Sequence, residues 1–419
     1  MRQFTDLLPA INIESGQHWW VGYSGGLDST VLLHLLASAN LSVKISAIHV
    51  NHQISANANL WQQCCEEFCR RLNIDCVSEK VIVENRGKGI EDAARSARYA
   101  VFEKYLKPDD VLFTGHHADD QAETLLLRLL RGAGIKGLSG ISAKRRFGNA
   151  TICRPLLAMT RDELLAYAQQ HQLQWIEDES NFSEAYDRNY LRLKVMPLLQ
   201  SRWPGMQKKW SQATSLCSET DLLLTEIARE DLSRLDNRNE RVGKSINLKK
   251  FKSLSVPRQH NVIRYWLEIN GYSTPEQQHW QQVDEQFASN ETDVKIDVHW
   301  GNVSLRLFQL KIFLLPVVLP QLSLIMKEVE QSKTENLLKK DLPNIHLRSR
   351  VGGERCRPAN RTHSQTLKKC LQEFALEPWL RDQVPLVYSN DNLVAVGDLW
   401  VCADYLALPN ETGLKLVWS

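Results

Sequence analysis

A pair of glycines between two apolar runs constrains the fold of this chain more than any other feature. Residues 18–23 form a short run rich in aromatic and β-branched side chains, which predicts a buried strand, and residues 30–39 form a run long enough for a helix. The connecting segment, Ser24–Ser29, has the sequence Ser-Gly-Gly-Leu-Asp-Ser. A strand that turns into a helix through glycines presents backbone N–H groups at the positive end of the helix dipole. The segment therefore predicts a phosphate-binding loop.

This loop has neither of two common nucleotide-binding sequences. It lacks the Gly-Lys-Ser/Thr of a Walker A motif and the Gly-x-Gly-x-x-Gly of dinucleotide-binding folds. Ser-Gly-Gly-Leu-Asp-Ser instead resembles the PP-loop of the ATP pyrophosphatase superfamily. The resemblance implies a loop that holds the pyrophosphate of ATP while an oxygen nucleophile attacks the α-phosphate. The alternative is an ordinary strand-to-helix turn made of small residues.

The first half of the chain alternates predicted strands and helices. After the loop, in turn, strands and helices are predicted at 43–50, 59–72, 76–83, 90–106, 110–114 and 118–130. This alternation is typical of an α/β fold with a parallel sheet covered by helices. Because ligands bind at the carboxyl ends of the strands in such sheets, we expect the polar stretches that follow the strands to meet in one cleft.

Two of these polar stretches follow the second and third predicted strands. His49 and Asn51 end one strand, as expected of a loop that contacts a nucleotide, although a solvated turn has the same composition. Arg95 and Arg98 lie three residues apart on one helix face, where two guanidinium groups could bind phosphate. Pairing of Arg95 with Glu91, one turn earlier, is an equally good interpretation.

The most informative stretch is Gly115–Thr124, which follows the fourth predicted strand. Its ionisable side chains are His116, His117, Asp119, Asp120 and Glu123. Acids in a first helical turn complement the helix dipole, but two histidines and three acids exceed what capping requires. The carboxylates could bind Mg²⁺ or hold an ammonium group, and a zinc site is a third option.

Three later segments are glycine-rich or cationic. The segment 131–140 has four glycines and could be a linker or a lid over substrate. Arg188 and Arg192 alternate with aromatic residues, a mixture suited to nucleic acid. Between Ile345 and Cys370 seven cations face one acid, although the whole chain has a net charge of only +2. That window could contact phosphates or be a solvated surface.

Cysteine usage and the termini indicate a compartment. The nine cysteines include no Cys-x-x-Cys, so neither a zinc ribbon nor a thioredoxin-like pair is predicted. Residues 1–15 carry no targeting pattern, and no apolar run approaches the length of a membrane span. We therefore expect a cytoplasmic protein with free thiols and no membrane partner.

Taken together, these motifs resemble those of the tRNA(Ile)-lysidine synthetases. The matching segments are Ser24–Ser29, His49–His52, Gly115–Thr124, Arg131–Gly140, Asp178–Asn181, Arg188–Arg192, Gly352–Arg355 and His363–Lys369. They extend over essentially the whole chain. The resemblance implies a ligase that uses ATP to adenylate the 2-carbonyl oxygen of the wobble cytidine in CAU-anticodon tRNA(Ile). The ε-amine of free L-lysine then displaces AMP and forms lysidine.

Breaks in the pattern and the distribution of charge along the chain predict the domains, and the resemblance implies the ligands. The predicted domains are a PP-loop catalytic domain at 1–208, a mostly helical substrate- or tRNA-binding domain at 209–320, a linker with at most one helix at 321–344, and a basic α+β tRNA-binding domain at 345–419. The expected ligands are ATP, Mg²⁺, lysine and tRNA(Ile). The sequence leaves the oligomeric state open, with a homodimer as one expectation.

Residue roles follow from the same resemblance. The predicted catalytic residues are Asp28, His116, Asp120 and Glu123, and Asp28 is also the predicted Mg²⁺ ligand. The predicted ATP-binding residues are Ser24, Gly25, Gly26, Leu27, Asp28, Ser29, His49, Asn51 and Arg95. The predicted lysine- or tRNA-binding residues are Asp119, Asp120, Glu123, Arg188, Arg192, Arg355, Arg357 and Lys368. Lysine has a pKa of about 10.4 in water, so a nearby group must accept its proton. Which acid or histidine does so is left open.

Other classes of protein share parts of this pattern. A tRNA thiolase of the superfamily would normally carry Cys-x-x-Cys, which is absent here. Asparagine and GMP synthetases carry a glutaminase domain, and only 23 residues precede the loop. A tRNA-binding protein that retains a nucleotide fold without catalysis is the third alternative. The intact loop and the acidic cluster of Gly115–Thr124 argue against it.

Overall fold

The computed structural model describes residues 17–39, 41–83, 89–179, 186–288, 297–330, 336–359, 361–408 and 411–419. They form two compact units, Met1–Leu223 and Leu224–Ser419. Ser180 and Asn181, which belong to one of the matching segments, and the side chain of Glu91 lie outside the described residues. Among the helices of the described residues, none is long and apolar enough to cross a membrane.

The N-terminal unit is built on a six-stranded sheet. Its strands are β1 (His18–Gly22), β2 (Lys44–Asn51), β3 (Asp75–Lys80), β4 (Val111–Phe113), β5 (Lys144–Phe147) and β6 (Ala150–Cys153). They lie in the order β3-β2-β1-β4-β6-β5. All pairs are parallel except β5–β6. The predicted parallel α/β fold is therefore confirmed, and the carboxyl ends of β1, β2, β4 and β6 share one edge.

Four helices connect these strands and cover both faces of the sheet. They are α1 (Leu27–Ser38), α2 (Ala58–Arg71), α3 (Ile90–Tyr105) and α4 (Ala118–Leu130). Alternate side chains of β1 enter two different cores. Trp19 and Val21 pack with Leu32 of α1, whereas Trp20 packs with Phe102 of α3. Because both faces are covered, the edge where the strands end is left to hold polar side chains.

The first part of the C-terminal unit is helical, with one antiparallel sheet. Helices Val256–Ile269 and Gln277–Ala288 pack a core around the fully buried Trp266. The strands of the sheet, in spatial order, are Arg238–Asn239, Lys244–Asn247, Lys311–Pro316, Val303–Phe308 and Asp297–Trp300. The predicted helical middle region is confirmed.

The predicted linker at 321–344 is wrong. Strand Leu324–Glu330 pairs antiparallel with Thr412–Trp418, the last strand of the chain, and Leu338–Lys339 pairs with its other edge. Leu324 and Met326, two residues apart on this strand, both pack against a core that contains Val394. The pairing joins residues about ninety positions apart, and the sequence pattern did not indicate the strand at 412–418. The alternation of side chains at 324–330 therefore had no predicted strand to pair with.

The remainder of the C-terminal unit is a small α+β arrangement, as predicted. Its sheet comprises Ile345–Arg348, Leu386–Ser389, Asn392–Val396 and Trp400–Val401, in that spatial order. A two-stranded ribbon, Arg355–Cys356 with Gln365–Thr366, leads into helix Leu367–Glu373. The ribbon and the start of this helix carry Arg355 and Lys368.

Candidate active site

The Ser24–Ser29 loop joins β1 to α1 as the sequence predicts, and its shape depends on Gly25. Gly25 has a φ of +85°, a region that favours glycine. A Cβ there would lie 2.6 Å from Cδ1 of Ile176 and 2.7 Å from Sγ of Cys65. The backbone N–H of Ile176 donates to the carbonyl of Gly25 over 2.9 Å. The segment around Ile176 therefore fixes the loop from one side, and no other residue fits at position 25.

Two serines and the helix end give this loop its donors. The hydroxyls of Ser24 and Ser29 lie 3.0 Å apart, and that of Ser29 donates to the carbonyl of Gly26 over 3.0 Å. Gly26 is the N-cap of α1 and has no side chain to accept from the first turn. The first N–H groups of a helix lack intrahelical acceptors, so those of Leu27 and Asp28 are suited to an anion.

The β2 residues take two different positions. His49 is buried, its Nδ1 donates to the carbonyl of Tyr23 over 3.0 Å, and burial lowers its pKa. It thus supports the entry to the Ser24–Ser29 loop. Asn51 is also buried, and its amide donates to the Ala58 carbonyl and the Gln62 side chain over 3.3 and 3.0 Å. In this structure Asn51 holds the β2–α2 connection, and its nucleotide role stays a prediction.

Gly115 brings the β4–α4 connection against the Ser24–Ser29 loop. A Cβ at this position would lie 3.0 Å from the backbone carbon of Asp28 and 3.1 Å from the backbone nitrogen of Ser29. The absence of a side chain allows the two backbones to touch. The start of α4 is thereby placed beside Asp28, two segments that are nearly ninety residues apart in the sequence.

His117 joins the two segments electrostatically. Its Nε2 lies 3.6 Å from Oδ2 of Asp28 and 3.4 Å from Oδ2 of Asp120, and its Nδ1 lies 3.5 Å from Oδ2 of Asp119. Burial alone would lower the pKa of His117, but these carboxylates raise it to about 10. The ring is therefore positively charged at neutral pH. The backbone N–H of Asp119 also faces Nδ1, at 3.2 Å, yet three surrounding carboxylates favour the charged form.

Two arginines bind the acids of α4. Nε of Arg188 donates to Oε2 of Glu123 over 2.8 Å, and its Nη2 donates to Oδ1 of Asp120 over 2.7 Å. Arg192 repeats the arrangement, with Nε 2.6 Å from Oε1 of Glu123 and Nη2 3.3 Å from Oδ1 of Asp120. Both carboxylates are buried. The predicted lysine-binding acids and the predicted tRNA-binding arginines thus form one network.

Besides His117, three of the five ionisable side chains of Gly115–Thr124 have shifted pKa values. Burial would raise the pKa of Asp120, but His117 and the two arginines hold it well below its usual range. The pKa of Asp119 is also lowered, although burial opposes the change. Burial lowers the pKa of His116 to about 4, so this ring is neutral. Its Nδ1 shares a 3.0 Å hydrogen bond with the hydroxyl of Thr114. His116 is thus a neutral imidazole beside the network.

Asp28 retains one unused acceptor. Among the described residues, its Oδ1 is a buried side-chain oxygen with no hydrogen-bond partner. Also within the described part of the chain, no group of three or more His, Cys, Asp or Glu side chains could hold a metal ion by itself. Mg²⁺ commonly binds through one or two carboxylates together with substrate phosphates. The donor set here, one orphaned oxygen beside a phosphate loop, fits that mode of binding.

The glycine-rich segment 131–140 contains a short helix, Ile135–Leu138. Arg128 of α4 donates to the carbonyl of Gly140 over 2.8 Å, and Gln121 donates to that of Ile141 over 3.1 Å. The segment is therefore bound to the helix that carries the acidic network.

Arg95 lies in a group that the sequence did not fully indicate. Its Nη2 lies 3.4 Å from the hydroxyl of Tyr99, and its guanidinium lies over that ring at 5.1 Å. Arg145 lies over the same ring at 5.5 Å, and Arg154 also interacts with the hydroxyl. Arg154 directly follows β6, so its place after a strand is the signal that could have marked it.

The C-terminal residues of the predicted site lie in the other unit. Arg355 donates to the carbonyl of Ser364 over 3.0 Å, and Arg357 pairs with Asp404. Lys368 is exposed. Three further arginines in the cationic window also have carboxylate partners: Arg348 with Asp391, Arg350 with Asp382, and Arg361 with Glu373. The window is therefore less positive than its sequence suggests, since all four of these acids lie outside it.

Profiles of known families match most of the chain. The profile described as PP-loop domain matches residues 1–199, that described as TilS substrate binding domain matches 247–313, and that described as TilS substrate C-terminal domain matches 345–418.

Individual relatives match over nearly the whole length. The chain is 35% identical to the tRNA(Ile)-lysidine synthase of Coxiella burnetii, over 96% of this chain and 93% of that protein. It is 38% identical to the protein of the same name from Legionella pneumophila strain Paris, over 90% of each chain. The corresponding protein of Serratia proteamaculans is 35% identical over 92% of each.

Proposed function

Since the chain belongs to the tRNA(Ile)-lysidine synthase family, a family of ATP-dependent ligases, we propose that it acts in two steps on CAU-anticodon tRNA(Ile). In the first, ATP adenylates the 2-carbonyl oxygen of the wobble cytidine and pyrophosphate leaves. In the second, the ε-amine of lysine attacks C2, the bond from C2 to the AMP oxygen breaks, and lysidine forms.

One observation carries this proposal. The PP-loop carboxylate Asp28 and the α4 carboxylate Asp120 both lie beside Nε2 of one charged imidazole, that of His117, at 3.6 and 3.4 Å. A phosphate-binding loop and a carboxylate network are thus parts of a single site. An enzyme that adenylates a carbonyl oxygen of a base and then aminates the carbon that bears this oxygen needs both in one place.

The first step rests on the loop. The N–H groups at the start of α1 and the hydroxyls of Ser24 and Ser29 would stabilise the pyrophosphate as it departs. Asp28 would hold Mg²⁺ through its orphaned Oδ1, and the bound ion would offset negative charge on the phosphates. His49 would keep the loop in place through its bond to Tyr23.

The second step rests on the charge of the network. Asp28, Asp119, Asp120 and Glu123 face three cations, namely His117, Arg188 and Arg192, so one negative charge is in excess. A single ammonium group would balance it. We assign the binding of lysine to Asp120 and Glu123. Arg188 and Arg192 would then give up part of their hydrogen bonds to these two carboxylates. The neutral His116 would accept the ammonium proton, because His117 is already protonated and the partners of Asp120 hold the pKa of that carboxyl well below its usual range.

The test uses the purified protein, ATP, MgCl₂, radiolabelled lysine and a transcript of tRNA(Ile) with a CAU anticodon. We expect lysine to enter the tRNA in a 1:1 ratio with AMP and pyrophosphate release. A methionine tRNA with the same anticodon is the matched control and should take up none. Transfer of sulfur to the base, or ATP cleavage without lysine incorporation, would overturn the proposal.

A further inference from the structure

Three arginines surround Tyr99 on the α3 face of the sheet. The guanidinium groups of Arg95 and Arg145 lie over the ring at 5.1 and 5.5 Å. Arg154 directly follows β6 and donates from Nη1 to the carbonyl of Ser142 over 2.6 Å. Arg145 and Phe147 lie two residues apart on β5, so their side chains share one face of the strand. The Phe147 ring also packs on Tyr99, with the ring centroids 5.5 Å apart. We call these four residues, Arg95, Tyr99, Arg145 and Arg154, the Tyr99 cluster.

Arg154 is unusual because it is charged and buried. Only 4% of its surface is exposed, and within the described residues its Nε has no hydrogen-bond partner. Among the described side chains, neither Arg154 nor Arg145 forms an ion pair with a carboxylate. A buried cation without a counter-charge is costly. A second cation beside it adds to that cost. An anion that binds here would remove both costs.

The Tyr99 cluster is separate from the phosphate loop. The sheet order β1-β4-β6 places two strand spacings, roughly 10 Å, between the end of β1 and the end of β6. The neutral His116, at the end of β4, lies between them in strand order. The pyrophosphate of ATP already has the N–H groups and hydroxyls of Ser24–Ser29. The Tyr99 cluster is therefore a second anion site on the same edge of the sheet.

We propose that the Tyr99 cluster binds a backbone phosphate of the RNA next to the target base, a proposal that rests on the function proposed above. Two features favour RNA over the phosphates of ATP. β5 is an edge strand and Arg145 is exposed, so a macromolecule can reach the cluster. Arginines beside an aromatic ring are also a common combination in sites for single-stranded RNA, and the Tyr99 ring is partly exposed.

The first test compares two neighbouring arginines of β5. Arg145→Ala removes a cation from the Tyr99 cluster, and Arg146→Ala is the matched control, since alternation places Arg146 on the opposite face of the strand. Affinity for tRNA(Ile) is measured at several KCl concentrations, without lysine. For Arg145→Ala we expect a loss of about tenfold in affinity, and the slope of log K against log salt should fall by about 0.7–0.9. Arg146→Ala should leave both unchanged.

The KM for ATP identifies the source of the phosphate. If the Tyr99 cluster holds RNA, the KM for ATP of Arg145→Ala stays within about twofold of the wild-type value. A raised KM for ATP with unchanged tRNA affinity would overturn the assignment of the Tyr99 cluster to RNA. No change in either quantity would show that the Tyr99 cluster binds no phosphate. Because RNA binding is measured without turnover, this outcome is distinct from failure of the wild-type protein to form lysidine.

The second test uses the buried arginine itself. Arg154→Met keeps the apolar stem and removes the unpaired charge. We expect weaker tRNA binding together with a melting temperature equal to or above that of the wild type, because a costly buried cation has been removed. A lower melting temperature with unchanged tRNA affinity would assign Arg154 a purely structural role and contradict the proposal.

Discussion

The acid–arginine network of α4 and the cationic window of the C-terminal unit contain the same residue types in different surroundings. In the network, the side chains of Glu123 and Asp120 are only 2% and 12% exposed. Asp391 and Asp382, which pair with Arg348 and Arg350 of the window, are 95% and 92% exposed. Buried pairs cannot lose one member without leaving a charge out of water, whereas exposed pairs exchange partners at little cost. The network is thus suited to hold its side chains in a fixed arrangement. The arginines of the window can instead exchange their carboxylate partners for phosphate groups.

The largest difference between the two regions is expected for loss of one aspartate. Asp28→Ala should reduce tRNA-dependent pyrophosphate release by about 10³-fold, since the unpartnered carboxylate oxygen proposed to hold Mg²⁺ is lost. Asp391→Ala, which removes the partner of Arg348 in the cationic window, is the control and should retain full activity. tRNA affinity should change little in Asp28→Ala. If it were lost as well, Asp28 would have a role in RNA binding that we have not assigned.

The next largest difference between the two regions is expected in the free energy of unfolding. Glu123→Gln leaves Arg188 and Arg192 without half of their buried partners, and we expect a loss of about 3–5 kcal/mol in the free energy of unfolding. The control is Glu373→Gln, which weakens an exposed pair with Arg361 and should cost at most about 1 kcal/mol. Urea denaturation followed by far-ultraviolet circular dichroism measures both. Equal losses would show that the network is no more constrained than the surface.

His116 and His117, directly before α4, should contribute to the pH dependence of stability in opposite directions. An unfolded histidine has a pKa of about 6.5. The pKa of His117 is raised to about 10, so its contribution is complete below pH 6.5 and is lost as the pH rises toward 10. The pKa of His116 is lowered to about 4, so its contribution is present above pH 6.5 and is lost as the pH falls toward 4. The summed contribution of these two histidines should therefore be greatest near pH 6.5.

A single variant isolates the alkaline limb of that profile. His117→Gln should flatten the decrease between pH 6.5 and 10 and leave the acid limb in place. Thermal melts across the pH range are sufficient for the comparison. An unchanged alkaline limb would mean that the ring is not charged in the folded protein.

The smallest effect is expected in the C-terminal window. Arg357→Ala breaks an ion pair with Asp404 that is largely exposed, so the melting temperature should change by less than about 2 °C. We predict that tRNA affinity falls about three- to tenfold, because one phosphate contact is lost. Filter binding at two salt concentrations measures this. A large loss of stability with unchanged tRNA affinity would reverse the distinction between the two regions.

Local patterns were sufficient for the N-terminal sheet. Each of its helices lies next to its strand in the sequence, so periodicity and the Ser24–Ser29 segment predict β1, α1 and their connection correctly. The strand at Leu324–Glu330 escaped prediction because its partner is the last strand of the chain. Pairing over such a distance leaves no local signal.

In the candidate site, too, some features were predictable from the sequence and others were not. Residue types and order alone indicated a phosphate loop, an acidic helix start and two arginines at 188 and 192. Only the tertiary structure decided that these arginines bind Asp120 and Glu123, that His117 is charged while His116 is neutral, and that Arg154 is buried without a counter-charge. The physical reason is that charge state and pairing depend on burial and on neighbours brought together by folding. Identity and spacing along the chain contain neither.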